Sequence, residues 1–218
     1  MKNRIYIIGI IACLLLVAVA SVGYVAYTAI MAPIVQGEQT VYIQVRPEDK
    51  TSSILDKLTS VADFKSTTGF TPLMKHYKYD SHIKPGNYAI RPGDSMRDIC
   101  LRLLSGNQTP VKLVVPSVRT IDRLAGAVAR QLMTDSASIA RFLTDQHLID
   151  SLGYTTETFP TLFIPNTYEV YWTMTPEQFV NRMTKEHSRF WNTDRLAKAK
   201  AQGLTPEQVC TLASIVDE

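Results

Sequence analysis

IKPGNYAIRPGDSMRDICLRLLSG, residues 83–106, carries the clearest local folding signals in the chain. Pro85-Gly86 and Pro92-Gly93 are pairs that favour tight turns. They enclose a short run, Asn87 to Arg91, which is long enough for one β-strand. The stretch therefore predicts a strand that lies between two turns.

A helix is predicted directly after the second turn. Ser95 can cap its first turn, and Asp98 stands three residues later in the capping-box position. Gly106 is suited to end the helix. One apolar stripe would face the core, formed by Met96, Ile99, Cys100 and Leu103.

Upstream of this stretch, the sequence predicts one more strand and two helices. VYIQV, residues 41–45, alternates apolar and polar side chains with the period of a strand. Thr51 or Ser52 can cap a helix that follows it, and a second short helix is predicted around Phe70 to Tyr77. Residues 39–107 thus have the order strand, helix, helix, strand.

Downstream, helices and strands follow each other without the regular alternation of a doubly wound sheet. Residues 108–159 read as a strand, VKLVV, followed by helices. Residues 160–218 begin with the aromatic segment around FIPNTYEVYW and continue with helices that start near Pro176 and Pro206. The predicted fold class is α+β.

The N-terminal segment is apolar and has no charged side chain from Ile5 to Gly37. Because about 20 apolar residues cross a bilayer, residues 5–32 predict a single transmembrane helix. Lys2 and Arg4 predict that residues 1–4 stay in the cytoplasm and that the bulk of the chain lies outside it. A cleaved signal peptide ending at Ala18-Val19-Ala20 is the alternative, although the apolar run is longer than such peptides need.

Composition argues against several classes of function. The net charge of +3 gives no indication of a nucleic-acid partner. Three cysteines, far apart in the sequence, are read as free thiols, and four histidines show no metal-ligand spacing. We therefore expect no metal and no cofactor.

Four features together resemble the membrane-anchored endolytic murein transglycosylases, the YceG-like family. These are the apolar N-terminus, residues 83–106, FIPNTYEVYW and the terminal LASIVDE. Two positions depart from the family pattern. Pro116-Ser117-Val118 stands where Pro-Glu-Gly is usual, and Asn166 stands where an acid is usual.

The resemblance implies a lysin-motif-like (LysM-like) glycan-binding subdomain over residues 39–107 and a mixed α/β catalytic domain that begins at residue 160. It implies cleavage of the bond between N-acetylmuramic acid and N-acetylglucosamine in nascent peptidoglycan strands. One carboxylic acid would protonate the leaving oxygen and then help the muramyl C6 hydroxyl to close a 1,6-anhydro ring, which would end glycan elongation. The implied location is the cytoplasmic membrane of the cell, with wall-synthesis proteins as further partners.

The closing helix indicates where that acid should stand. In an α-helix, Val209, Leu212, Ala213, Ile215 and Val216 share an apolar face, and Cys210, Thr211, Ser214, Asp217 and Glu218 share the polar one. The family's Glu-x-Glu register puts the catalytic Glu at the position after Glu218, on the apolar stripe. The chain would then hold no catalytic residue, would be cut within a helix and would be inactive by itself. Glu218 takes the role only if the register slips by one residue.

Four residues are candidates for binding substrate: Asn166, Tyr168, Glu169 and Ser214. The aromatic side chains of residues 168–172 suit sugar rings and a protein core equally well. Arg119, Arg123 and Arg130 are expected on the solvated face of one helix. The alternative function is that of a non-enzymatic wall-binding scaffold, and the residue that follows Glu218 would discriminate the two.

Overall fold

The computed structural model describes residues 2–118 and 120–216. The chain divides into two compact units, Met1–Thr109 and Pro110–Glu218. Each unit has a two-stranded antiparallel sheet packed with helices. The predicted α+β class is confirmed.

The first unit begins with a long helix, α1, Lys2–Met31. This helix covers residues 5–31 of the span 5–32 that was predicted to cross the membrane. Across residues 2–118 and 120–216, no helix combines the length and the apolar character needed to cross a bilayer. The transmembrane part of that prediction is therefore not supported.

The rest of the first unit has the predicted order of strand, helix, helix, strand, helix. Strand β1 pairs with β2 so that Val41 lies opposite Ile90 and Val45 opposite Gly86. The likeness to a lysin motif stays a prediction. The elements are β1 Val41–Val45, α2 Thr51–Val61, α3 Phe70–His76, a 3-10 turn Tyr79–Ser81, β2 Gly86–Ile90 and α4 Met96–Ser105.

Helix α4 begins and ends where the sequence indicates. The Ser95 hydroxyl accepts a hydrogen bond from the Asp98 amide at 3.2 Å, and the Asp98 carboxylate accepts one from the Ser95 amide at 3.1 Å. Gly106 ends the helix with φ of 71°, a left-handed conformation that glycine adopts without strain. Arg102 of α4 pairs with Asp94 at 2.6 Å and also donates to the Ala89 carbonyl, so it fastens α4 to β2 and its turn.

The second unit contains β3 Val111–Val115, α5 Ile121–Ala129, α6 Ser136–Leu143, α7 Gln146–Ser151, a 3-10 turn Phe159–Leu162, β4 Asn166–Val170, α8 Pro176–Phe190, α9 Thr193–Ala201 and α10 Pro206–Val216. Buried side chains from β3, β4 and helices α5 to α8 share one hydrophobic core. Both predicted segments, 108–159 and 160–218, contribute residues to this core.

Candidate functional site

A cleft of about 790 Å³ opens in the second unit at one end of its sheet. Because β3 and β4 are antiparallel, Val115 at the end of β3 lies opposite Asn166 at the start of β4. The loop that leaves β3, residues 116–118, and the loop that enters β4, residues 163–165, therefore meet at the same edge. Both loops line the cleft.

Three segments form its walls. One wall is the loop 116–118 with the first turn of α5, and the second is the segment from Glu157 to Pro165. Helix α10 supplies the third wall through Cys210, Thr211, Ser214 and Ile215. The lining thus mixes hydroxyl groups with aliphatic and proline side chains.

Helix α10 turns mainly its polar stripe to the cleft. The Thr211 hydroxyl donates to the Glu207 carbonyl at 2.9 Å, and the Ser214 hydroxyl donates to the Thr211 carbonyl at 2.8 Å. Their oxygen atoms therefore remain able to accept hydrogen bonds from a ligand. Leu212, on the apolar stripe, is 48% exposed and is not a lining residue. Ile215, which belongs to the same apolar stripe, does line the cleft, so α10 contributes residues from both stripes.

The cleft has charges of opposite sign on different walls. Arg123 stands in the first turn of α5 on one wall, and Glu157 stands on another. A hydrogen bond from the Thr155 side chain lowers the pKa of Glu157, so this carboxyl stays ionised at neutral pH. On α10, Cys210 is half-buried, and burial together with the neighbouring Glu207 raises the pKa of its thiol.

Of the four predicted binding residues, only Ser214 lines the cleft. The Asn166 side chain accepts a hydrogen bond from the Thr167 amide at 2.7 Å, at the start of β4. Glu169 lies on the exposed face of β4, opposite Lys112 of β3. Neither is among the lining residues.

Tyr168 packs into the core and is 5% exposed. Its hydroxyl donates to the Ile164 carbonyl at 2.6 Å, so it holds the loop 163–165 against the core. Trp172 is also buried, whereas Tyr171 is 54% exposed. The sequence left open whether Tyr168 and Trp172 bind sugar or belong to the core. Their burial places both side chains in the core.

Ser117 and Glu157 were not among the predicted site residues, and Arg123 was predicted to lie on a solvated face. The sequence signal for this site is the presence of proline in both loops, 116–118 and 163–165. This signal indicates a shared site only once the pairing of β3 with β4 is known. Arg119 lies outside the described residues.

Asp217 and Glu218 also lie outside the described residues, as does the expected catalytic position that follows them. Within the described part of the chain, no group of three or more His, Cys, Asp or Glu side chains could hold a metal ion.

A cleft lined with both hydroxyls and aliphatic groups, at the edge of a small sheet, suits a polar ligand with apolar faces. A sequence model of the YceG-like family matches residues 43–218. The chain belongs to the YceG-like family.

A crystal structure of a yceG-like protein from Listeria monocytogenes is similar to this chain at 19% sequence identity and a TM-score of 0.44. The match covers 77% of this chain, and the chain spans 60% of the Listeria protein. A comparison with curated proteins gives no match.

Proposed function

We propose that the protein to which this chain belongs is an endolytic lytic transglycosylase, which cleaves the glycan of peptidoglycan between N-acetylmuramic acid and N-acetylglucosamine. Family membership supports this class of reaction. The observation that carries the proposal is the cleft against α10, since the closing helix was the expected position of the catalytic acid.

The lining of the cleft suits a sugar chain. A pyranose ring has hydroxyl groups at its rim and apolar C–H faces. The hydroxyls of Thr211 and Ser214 can bond the rim, while Ile164 and Ile215 offer aliphatic surface to the faces.

The proposed reaction needs one carboxylic acid and no water. The acid gives its proton to the glycosidic oxygen as the bond from that oxygen to C1 of the muramyl residue breaks. The resulting carboxylate then takes the proton of the C6 hydroxyl, whose oxygen bonds to C1 and closes the 1,6-anhydro ring. Such an acid must be protonated at neutral pH, and partial desolvation raises a carboxyl pKa in that direction.

The position of the acid is either the residue after Glu218, as the family register implies, or Glu218 itself. Glu218 follows Ser214 by four residues and Thr211 by seven, which is the spacing of residues on one helix face. Ser214 and Thr211 line the cleft. The next position follows Leu212 by seven, and Leu212 is not a lining residue, but it also follows Ile215 by four, and Ile215 lines the cleft. The lining of α10 is therefore compatible with either position, and the variants described below decide between them.

The proposed substrate also determines a location and partners. Nascent glycan strands lie outside the cytoplasmic membrane, so the residues that follow α1 would work there, close to the proteins that synthesise the wall. The LysM-like residues 39–107 would provide a second contact with the glycan. Cell fractionation with protease accessibility tests the location, because an enzyme at this site is degraded only when the outer side is open to protease.

The experiment is a digest of purified peptidoglycan, analysed by mass spectrometry. A protein that extends beyond Glu218 should release products with 1,6-anhydromuramyl ends, and the 218-residue chain should release none. Glu218→Gln and the amide replacement of the next acid identify the catalytic position, because only one of them should abolish release. Glu169→Gln, on the exposed face of β4, is the matched control and should keep full activity.

Reducing muramic acid ends would show a hydrolase and contradict the proposal. No release by the extended protein, together with retained binding to peptidoglycan, would favour the non-enzymatic scaffold.

A further inference from the structure

Arg123 is the cationic residue of the cleft lining. It stands in the first turn of α5, where its backbone amide donates to the hydroxyl of the N-cap residue Thr120 at 3.3 Å. Its side chain is exposed, and it lines the cleft. Among the residues that the structure describes, none forms a hydrogen bond or an ion pair with its guanidinium.

Three other arginines of the same unit have partners. Arg182 and Arg189 both pair with Glu186, at 3.0 and 2.9 Å. Arg195 donates to the Phe190 carbonyl at 2.6 Å and lies over the Phe190 ring. Arg123 therefore differs from them in presenting an unneutralised charge to a cleft.

The charged residues near the cleft make its electrostatic potential positive near Arg123 and negative near Glu157. Glu157 is the acidic lining residue, and it belongs to a different wall. Asp122, next to Arg123, is exposed and is not a lining residue. An anionic group on a ligand is therefore repelled near Glu157 and attracted near Arg123, where the first-turn amides of α5 add to the attraction.

We infer that Arg123 makes the cleft selective for glycan that carries a carboxylate, which its guanidinium binds. This inference rests on the proposed function, because it assumes that the cleft holds glycan. Peptidoglycan offers such a carboxylate in two forms: the lactyl group of muramic acid, free once the stem peptide is removed, and the acidic residues of the stem peptide itself. Chitin oligosaccharides, built from N-acetylglucosamine alone, offer neither.

Binding to the 218-residue chain tests the inference by isothermal titration calorimetry with three tetrasaccharides. They are chitotetraose, the N-acetylglucosamine–N-acetylmuramic acid tetrasaccharide without peptides, and the same tetrasaccharide with its stem peptides. The variants are Arg123→Ala and Arg123→Lys. Arg130→Ala is the matched control, since Arg130 caps the other end of α5 and is not a lining residue.

Arg123→Ala should weaken binding of a carboxylate-bearing tetrasaccharide by about 5-fold, the strength of a good exposed ion pair, and leave chitotetraose unchanged. The loss should shrink as salt rises, and Arg123→Lys should restore part of the affinity. Loss confined to the peptide-free form identifies the lactyl carboxylate as the ligand. Loss confined to the peptide-bearing form identifies the stem peptide.

Equal losses for all three ligands, or no loss for any, would overturn the inference. If the wild-type chain binds all three equally and the extended protein still releases anhydro products, the inference fails while the proposed function stands. If the wild-type chain binds none of them, both the inference and the assignment of the cleft to glycan fail.

Discussion

Replacing Tyr168 by Phe should separate a residue that supports the cleft from one that touches the ligand. Tyr168 is a buried residue, and its hydroxyl donates to the Ile164 carbonyl at 2.6 Å. Ile164 lines the cleft, so the bond holds a cleft loop against the core. The Phe variant keeps the ring in the core and removes only the donor.

The expected loss in the free energy of unfolding is about 1 kcal/mol, the net value of one hydrogen bond within a protein. For a unit of about 100 residues, this lowers the melting temperature by roughly 4 °C. Affinity for glycan should fall by less than about 5-fold, since the loop is loosened and no ligand contact is lost.

Tryptophan fluorescence during urea denaturation measures the effect. Both tryptophans of the chain, Trp172 and Trp191, belong to the second unit, so the signal reports that unit alone. Tyr171→Phe is the control, because Tyr171 is 54% exposed and its hydroxyl should add little to stability. Unchanged stability of Tyr168→Phe together with a loss of glycan binding above about 10-fold would refute the reasoning, because it would show Tyr168 in direct contact with sugar.

Three further substitutions test other parts of the structure. Arg102→Met should lower the free energy of unfolding of the first unit by about 3 kcal/mol, because the largely buried Asp94 carboxylate loses its cationic partner. Circular dichroism in urea measures this loss, and a change below about 1 kcal/mol would contradict it. Gln131→Ala should cost about 1–2 kcal/mol, as the Gln131 amide bonds both the N–H and the C=O of Val114 on β3; tryptophan fluorescence follows it, and unchanged stability would argue against this bonding. Burial lowers the pKa of His187 in the folded chain, so the unfolded chain binds a proton at this site first as the pH falls. The free energy of unfolding should therefore decrease as the pH drops below about 6.5. His187→Phe should make this decrease less steep, and an equally steep decrease in the variant would exclude His187 as its cause.

Local signals in the sequence predicted the elements of the first unit well. The Ser95 capping box and the turns around β2 are short-range features, because their hydrogen bonds join residues only a few positions apart. The strand 41–45 was visible from its alternation, since one face of β1 is buried. Such features need no knowledge of distant contacts.

The cleft could not be predicted in the same way, since it depends on which strands pair. Residues 116–118 and 163–165 are far apart in the sequence and meet only because β3 and β4 are antiparallel. For Tyr168 the sequence left a sugar platform and a core position equally open, because the identity of an aromatic residue does not reveal whether it is buried. The direction of α10 also depended on its neighbours. Apolar Leu212 is half exposed, and the polar stripe with Ser214 lines the cleft.

The orientation of α10 is therefore the most direct point at which to test the proposed glycan site. Ser214→Phe places a large side chain in the cleft, and Leu212→Phe places the same side chain on the exposed stripe of the same helix. Calorimetric titration of the two variants with a muramic acid tetrasaccharide compares the two faces. Loss of binding in Ser214→Phe with wild-type binding in Leu212→Phe is the predicted result, and the reverse pattern would contradict it.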